Sequence, residues 1–451
     1  MFARATSFGG FTTSCKFETP LLPKLKLYFS LKQGLSPFYK IMEEIMNYFA
    51  NMDWEFMKSR YDIKDSSRHF SVSEYHDILC PPSEKPDFLQ KYLELPVLKR
   101  LDGISLLCGT DWTKLYNNRV KYSRLDHSIG VALIVWHFTK DKAQTIAGLL
   151  HDISTPVFSH VGDFRNGDAL TQESTEAQTS QIIKHDKQLQ KLLHEDELST
   201  ELVDDYHKYP IADNEIPSLS ADRLEYMFPS GASLDGSWTF DEIKKCYENI
   251  CVLQNENGLP ELGFSDVKIA ELYCEKFCCI GHILQLNENK LTLQLLGEIM
   301  NLGVKLNVLQ EKDFMTLSEK QVIQKIENWI STNKFALNFE NEHSKSDISD
   351  NLSTRFANYY LTFKNMKKIY HSEKKLPENQ YYSVSLKVKQ RFINPLVKIP
   401  ECSFSSQKNL PPSKSFSKTV RLSEISKLSS KLIKDFKNFS DTTFGSVKLF
   451  F

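Results

Sequence analysis

Between residues 122 and 226 the chain carries His127, the adjacent pair His151-Asp152, then His160, Asp163 and Asp222. Two neutral imidazoles and two carboxylates form a mixed nitrogen and oxygen donor set of the kind that holds a divalent ion such as manganese, iron, cobalt or zinc, with positions left open for water and a reactant. An ion held in this way brings the pKa of water toward neutrality and polarises a phosphoryl oxygen. Arg124 stands three residues before His127 and Arg223 follows Asp222, so two guanidiniums able to grip phosphate accompany the donors. A lone histidine on an apolar helix is usually a satisfied core residue, and an Asp-Arg neighbour pair is usually solvated surface. The reading in which these side chains only satisfy one another has to account for all of them occurring together.

Local spacing indicates how they are positioned. His127 opens a helix of small and branched residues in RLDHSIGVA, and His151-Asp152 closes the next one in AGLLHDISTPVFSH, so the two helix ends could meet at one point. Asp222 and Tyr226 lie four apart and share a helix face. Between about residues 88 and 330 the apolar spacing is helical almost throughout, as in Ile129, Leu133 and Trp136, or Leu291, Leu295, Ile299 and Leu302. Thr316 followed by Glu319 predicts a capping box for the helix through Val322 and Ile326. A further helix is expected at residues 38–57 from Ile41, Ile45, Phe49 and Met52. Beyond about 335 the character changes. Val384, Leu386 and Val388 alternate with Ser385, Lys387 and Lys389 as in a half-buried strand, a second strand is expected through Val397 and Ile399, and residues 403–417 read as a linker. Leu422, Ile425, Leu428 and Leu432 then mark a basic amphipathic helix, which either packs on its own domain or docks on a partner or membrane surface.

Composition sets outer limits. The 451 residues hold 56 Lys plus Arg against 57 Asp plus Glu, a net charge of -1, so no bulk field draws the molecule to nucleic acid or an anionic membrane. Nucleic-acid binding rests only on the basic helix and is not expected. No apolar run is long enough for a transmembrane segment. The nine cysteines are scattered and read as reduced thiols of a cytosol-like compartment, which predicts a cytoplasmic protein. Residues 1–40 carry Arg4, Lys16, Lys24, Lys26, Lys32 and Lys40 against Glu18 alone, the composition of a transit peptide or of a loosely ordered extension. The expected domains are thus an N-terminal extension at 1–40, a helical domain at 41–335 and an α+β region at 336–451.

The series of histidine, His-Asp pair and aspartate resembles the HD-domain metal-dependent phosphohydrolases, and most of all their deoxynucleoside triphosphate triphosphohydrolase branch. LPVLKRLDGISLLCG (95–109), RLDHSIGVA (124–132), GLLHDISTPVFSH (148–160), ADRLEYM (221–227) and LQEKDFMTLSEKQVIQKI (309–326) carry the resemblance, which covers roughly residues 88–330. It implies an all-α HD-domain helical bundle, here with a smaller C-terminal α+β part. It further implies that His127, His151, Asp152 and Asp222 are ligands of one ion, left open among manganese, iron, cobalt, magnesium and zinc. Arg124 would contact phosphate, Arg223 and Tyr226 phosphate or sugar, Asp163 would lie beside the reacting group, and His160 would stand behind the ligands or donate a proton.

Two positions depart from that branch. Thr155 stands where it has a histidine three residues after the HD aspartate, and Gln172 stands where it has a histidine before a glutamate, here Glu173. Neither Thr nor Gln can act as an acid near neutral pH. Asp163, His160 or Glu173 would then have to supply the proton. The expected function is a metal-dependent hydrolase of a nucleotide or related phosphate ester. The alternative is a nucleotide-binding sensor or scaffold that keeps the metal site with impaired catalysis. The C-terminal part could supply an interface for a homo-oligomer.

Overall fold

Ser123 fixes the start of the central helix. Its hydroxyl accepts from the Asp126 amide and the Asp126 carboxylate accepts from the Ser123 amide, so two of the unpaired amides at this helix end are met. The helix that follows, α2 (Arg124–Thr139), comes after α1 (Val72–Leu79) in the computed structural model, which describes residues 70–116, 120–172, 178–339, 352–399 and 418–450. Residues Gly130 to Val135 of α2 are buried all round, the mark of a helix inside a bundle rather than on its surface. Lys140 ends it in the left-handed region at φ 51°, and Asp141 caps the next helix, α3 (Lys142–Leu150). At Gly148 α3 lies against Val131 and Val135 of α2, where even an added Cβ would make only ordinary contact. The short turn makes the two helices antiparallel, so the end of α3 returns to the start of α2.

Around this pair stand α4 (Val161–Arg165), α5 (Ala221–Leu234), α6 (Val267–Gln285), α7 (Asn287–Lys305), α8 (Glu319–Phe339), α9 (Leu352–Asn365) and α10 (Lys427–Asn438). Helices dominate, and no helix among the described residues is long and apolar enough to cross a membrane. All the described residues fall within one compact unit, Lys58–Phe451.

Two small sheets complete the fold. The first has the order β1 (Ile250–Gln254), β2 (Pro260–Phe264), β5 (Leu396–Ile399), β6 (Lys418–Arg421), with β2 and β5 parallel and the other pairs antiparallel. The second places β7 (Phe444–Lys448) between β3 (Tyr370–Ser372) and β4 (Tyr381–Val384). The hairpin β1–β2 lies inside the stretch expected to be helical almost throughout. Asn255 accepts at its side chain from the amides of Asn257 and Leu259, and Gly258 takes φ 73°, so a tight turn interrupts the helical run. Pairing of Gly263 with Leu396 ties the C-terminal region to the helical body, and a side chain at 263 would meet the Leu396 carbonyl at 2.7 Å.

Two further expectations shift, and one is met by the packing. The alternating run forms strand only as far as Val384, where pairing with β7 ends at Gly445; beyond it the backbone is held by the Gln285 side chain and the Pro217 carbonyl. The capping box of α8 is Ser318 with Gln321, not Thr316 with Glu319. The Thr316 hydroxyl bonds back to Lys312 O, while Glu319 turns inward to the Ser105 amide and the Trp112 indole. The basic helix lays Leu428, Leu432, Ile433 and Phe436 into the body, with Phe436 edge-on to His282 of α6. The second expected strand is β5. Seven cysteines among the described residues are free thiols. The N-terminal extension, the helix at 38–57, Glu173 and the linker at 403–417 lie outside the described residues.

Candidate metal centre

Because α2 and α3 are antiparallel, His127 in the first turn of α2 faces His151-Asp152 at the end of α3. Asp222 comes from the first turn of α5, which Ser220 caps. His127 Nε2 lies 3.1 Å from Asp222 Oδ1, 3.7 Å from Asp152 Oδ2 and 3.2 Å from His151 Nε2. His151 Nε2 is 3.4 Å from Asp152 Oδ2 and 3.8 Å from Asp222 Oδ1. Four donor atoms from three helix ends therefore converge on one small volume.

The far nitrogens decide what those donors can be. His127 Nδ1 donates to Glu225 Oε2, and His151 Nδ1 donates to Gly148 O at 2.7 Å. Each ring thereby commits its Nδ1 proton away from the convergence and turns Nε2 toward it, the orientation that metal-bound histidines require. Two Nε2 atoms beside two carboxylates suit a cation, a proton or a metal, and this donor chemistry fits a divalent ion. His127, His151 and Asp152 have the spacing of a metal-holding group.

Charges around the site are tightly balanced. Burial opposes a proton on His127, but the Glu225 and Asp222 carboxylates outweigh it and raise its pKa to about 10, so a positive charge is favoured at this spot. Burial alone would raise Asp152, yet Arg124 and the two histidines hold it well below the usual carboxylate range. Arg124 Nη1 donates to Asp152 Oδ2 at 3.0 Å and its Nε to Ser159 Oγ at 2.9 Å. Thr155, standing where the resembling branch has histidine, donates its hydroxyl to Asp152 Oδ1 at 2.6 Å.

The donors open on a cavity of about 170 Å³, lined also by Arg124, His160, Gln172, Tyr226 and Arg391. His160 lines the cavity while Asp163 is fully buried behind it, with Nδ1 and Oδ2 2.9 Å apart. That reverses their expected order: the imidazole, not the carboxylate, faces the cavity. Burial lowers the His160 pKa, Asp163 offsets part of this, and Arg391 and Arg124 lower it further. Tyr226 shares the face of Asp222 as its spacing predicts. Its hydroxyl has no partner among the described residues, and burial pushes its pKa up to about 12. Arg223 is not among the lining residues; Asp213 pairs with it at 3.2 Å, and Ser218 O and Asn214 take its other N–H groups. The reason is local: position 223 is one residue round the helix from Asp222 and faces the 213–218 loop instead.

Sequence reasoning missed Glu225, Tyr206 and Arg391. Glu225 reads as one more surface acid, yet it is 0% exposed and accepts from Tyr122 OH as well as from His127. The Tyr206 ring lies 4.8 Å from that of His151. A second potential metal group, Glu288, His371 and Asp441, also lies outside the cavity lining; its two carboxylates sit on opposite nitrogens of one ring, which makes it an ionic clamp.

No protein-family model matches the chain. Over 155 residues it is 30% identical to the uncharacterized protein YdhJ of Bacillus subtilis, covering 34% of this chain and 46% of that protein. Over 162 residues it is 25% identical to the metal-dependent phosphohydrolase cns2 of Cordyceps militaris, covering 36% and 45%. The chain thus spans a little under half the length of these relatives. It is similar to a metal-dependent phosphohydrolase over about a third of its own length. Among solved structures, a phosphohydrolase of Bacteroides thetaiotaomicron aligns with a TM-score of 0.47 at 12% identity, over 80% of this chain and 95% of that one. A hypothetical protein of Aquifex aeolicus aligns with a TM-score of 0.46 at 16% identity, over 81% and 93%.

Proposed function

We propose that this protein is a metal-dependent phosphohydrolase of the HD type, acting on a nucleotide or related phosphate ester. The observation that carries this reading is the commitment of both Nδ1 protons away from the site, which aims two Nε2 atoms and two carboxylates at one point of a cavity that Arg124 and Arg391 also line. His127, His151, Asp152 and Asp222 would hold the ion, whose contribution is Lewis acidity toward water and the phosphoryl group. Arg124 steadies Asp152 and faces the cavity beside it. His160, with its Nδ1 proton directed to Asp163, presents Nε2 to the cavity, where a neutral imidazole can take a proton and return it to the departing oxygen. Tyr226 keeps its proton at neutral pH and donates to an anionic oxygen. His160 with Asp163 thus stands in for the two histidines that the triphosphohydrolase branch has at the positions of Thr155 and Gln172.

A second reading draws on those same two positions. Thr155 is spent on Asp152 and Gln172 on Arg391, so neither side chain is available to move a proton, which favours a nucleotide-binding sensor with impaired catalysis. One experiment separates the two. The purified chain is incubated with manganese, magnesium, cobalt, iron or zinc and a panel of nucleoside phosphates. Turnover with at least one ion, lost in His151→Ala and Asp152→Ala, is expected of the hydrolase. Thermal stabilisation by nucleotide without product is expected of the sensor. Neither turnover nor stabilisation would remove both.

A further inference from the structure

After β4 the chain leaves its sheet and lines the cavity with Val388, Lys389 and Arg391 before joining the other sheet as β5. This segment is anchored at both ends: Gln285 Nε2 donates to Lys389 O at 2.9 Å, the Asn394 amide donates to Pro217 O at 2.8 Å, and Val388 and Ile393 are buried. Arg391 lies between the anchors and lines the cavity. Its Nη1 donates to Gln172 Oε1 at 2.7 Å. Gln172 is itself fixed, with a left-handed backbone at φ 55° and its Nε2 bonded to Ala169 O at 3.1 Å. The guanidinium is therefore held in place by a neutral amide.

Other arginines near the cavity are neutralised. Arg124 meets Asp152 and Arg223 meets Asp213. Among the described residues no carboxylate pairs with Arg391, and its remaining N–H groups make no hydrogen bond there. A half-buried cation with no counter-charge among the described residues is suited to a ligand that supplies one. The Tyr226 hydroxyl, also without a partner among the described residues, lines the same cavity and feels the Arg391 charge. The four metal-site donors, which line the same cavity, already account for one anionic group.

We propose that Arg391 and Tyr226 form a second anion subsite, for a phosphoryl or carboxyl group of the substrate other than the one that reacts at His127, His151, Asp152 and Asp222. The identity of the reacting group rests on the phosphohydrolase reading. A planar guanidinium held by one N–H leaves further donors for the two oxygens of such a group, and the phenol adds one more.

Calorimetric titration of the whole protein with inorganic phosphate, pyrophosphate and phosphoglycolate, magnesium present, tests this. Wild type is expected to bind pyrophosphate or phosphoglycolate about tenfold tighter than phosphate. Arg391→Ala should lose that gain with phosphate binding unchanged. Gln172→Glu, which keeps the guanidinium and sets a carboxylate against it, should lose it too, so the test survives if Arg391→Ala fails to fold. A gain for pyrophosphate alone assigns the phosphoryl group and a gain for phosphoglycolate alone the carboxyl group. Equal affinity for all three probes in the wild type, or a gain that Arg391→Ala retains, overturns the subsite. An Arg391-dependent gain in a protein that hydrolyses no ester would sink the hydrolase reading and leave the subsite standing. Hydrolysis of doubly anionic esters with KM unaltered in Arg391→Ala would do the reverse.

Discussion

His127 and Glu225 face each other across α2 and α5, with the imidazole Nδ1 donating to a carboxylate that has no exposure to solvent. Glu225 accepts at its other oxygen from Tyr122 OH, so both of its oxygens are occupied and its position is fixed from two sides. A side chain on Gly130 would collide with this carboxylate, which explains why α2 carries glycine inside an otherwise branched, buried face. The partner of a metal-binding histidine sets its tautomer and basicity.

Glu225→Gln is therefore expected to weaken divalent-ion binding by about 10- to 100-fold, because the amide cannot both accept from His127 and keep the charge that favours a cation there. Competition with a chelating dye would measure the change. Affinity equal to wild type would mean that Glu225 does not tune the site. Gly130→Ala should lower the melting temperature by displacing the same carboxylate, with an effect that shrinks in a Glu225→Ala background.

Thr155 offers a second handle on Asp152. Its hydroxyl donates to Oδ1 while Arg124 holds Oδ2, so the carboxylate is oriented from both sides. Thr155→Val keeps the shape and removes the donor, leaving one buried oxygen short of a partner at a cost of about 1–3 kcal/mol. Ion affinity should fall and recover in Thr155→Ser. Equal loss in both variants would point to packing rather than to the hydroxyl.

The part of the site legible in the sequence was the part that repeats a spacing. Antiparallel helices bring His127 to His151-Asp152, and a four-residue step puts Asp222 and Tyr226 on one face. Arg223, Glu225 and Arg391 were not legible, because the local sequence does not reveal which way a charged residue on a buried helix turns. Burial of Glu225 depends on Tyr122 and His127 from another helix, and Arg391 reaches the cavity only because β5 joins β2 far along the chain. The hairpin at residues 250–264 was missed for a different reason: its strands are short and lie between long helices, although its turn carries Asn255 and the Asn257-Gly258 step.

At the start of α8 the choice between two capping boxes is testable. Ser318 accepts from the Gln321 amide at 3.3 Å and Gln321 Oε1 accepts from the Ser318 amide at 2.8 Å. Ser318→Ala should cost about 1 kcal/mol in denaturant melts. Thr316→Ala, whose hydroxyl only bonds back within its own turn, should stay within about 0.5 kcal/mol of wild type. The reverse ranking would restore the expected Thr316–Glu319 box.

The pH dependence of stability should carry the mark of His371. This residue of β3 donates from Nδ1 to Asp441 at 3.1 Å and from Nε2 to Glu288 of α7 at 2.8 Å, joining the second sheet to the bundle. The hydrogen bond to Asp441, then that to Glu288, outweighs burial and raises its pKa from 6.5 to about 10. A folded-state pKa above the unfolded value means that the native protein binds more protons between the two. The stabilisation is then fully present below about 6.5 and is lost as the pH rises through about 10. Discounted for its partly exposed ring, the imidazolium clamp should contribute about 2 kcal/mol at neutral pH. Chemical denaturation followed from near-neutral to alkaline pH should show stability falling across that window. In His371→Gln the neutral-pH stability should be lower and the slope flatter. A slope that persists unchanged in the variant would assign the alkaline loss to other groups.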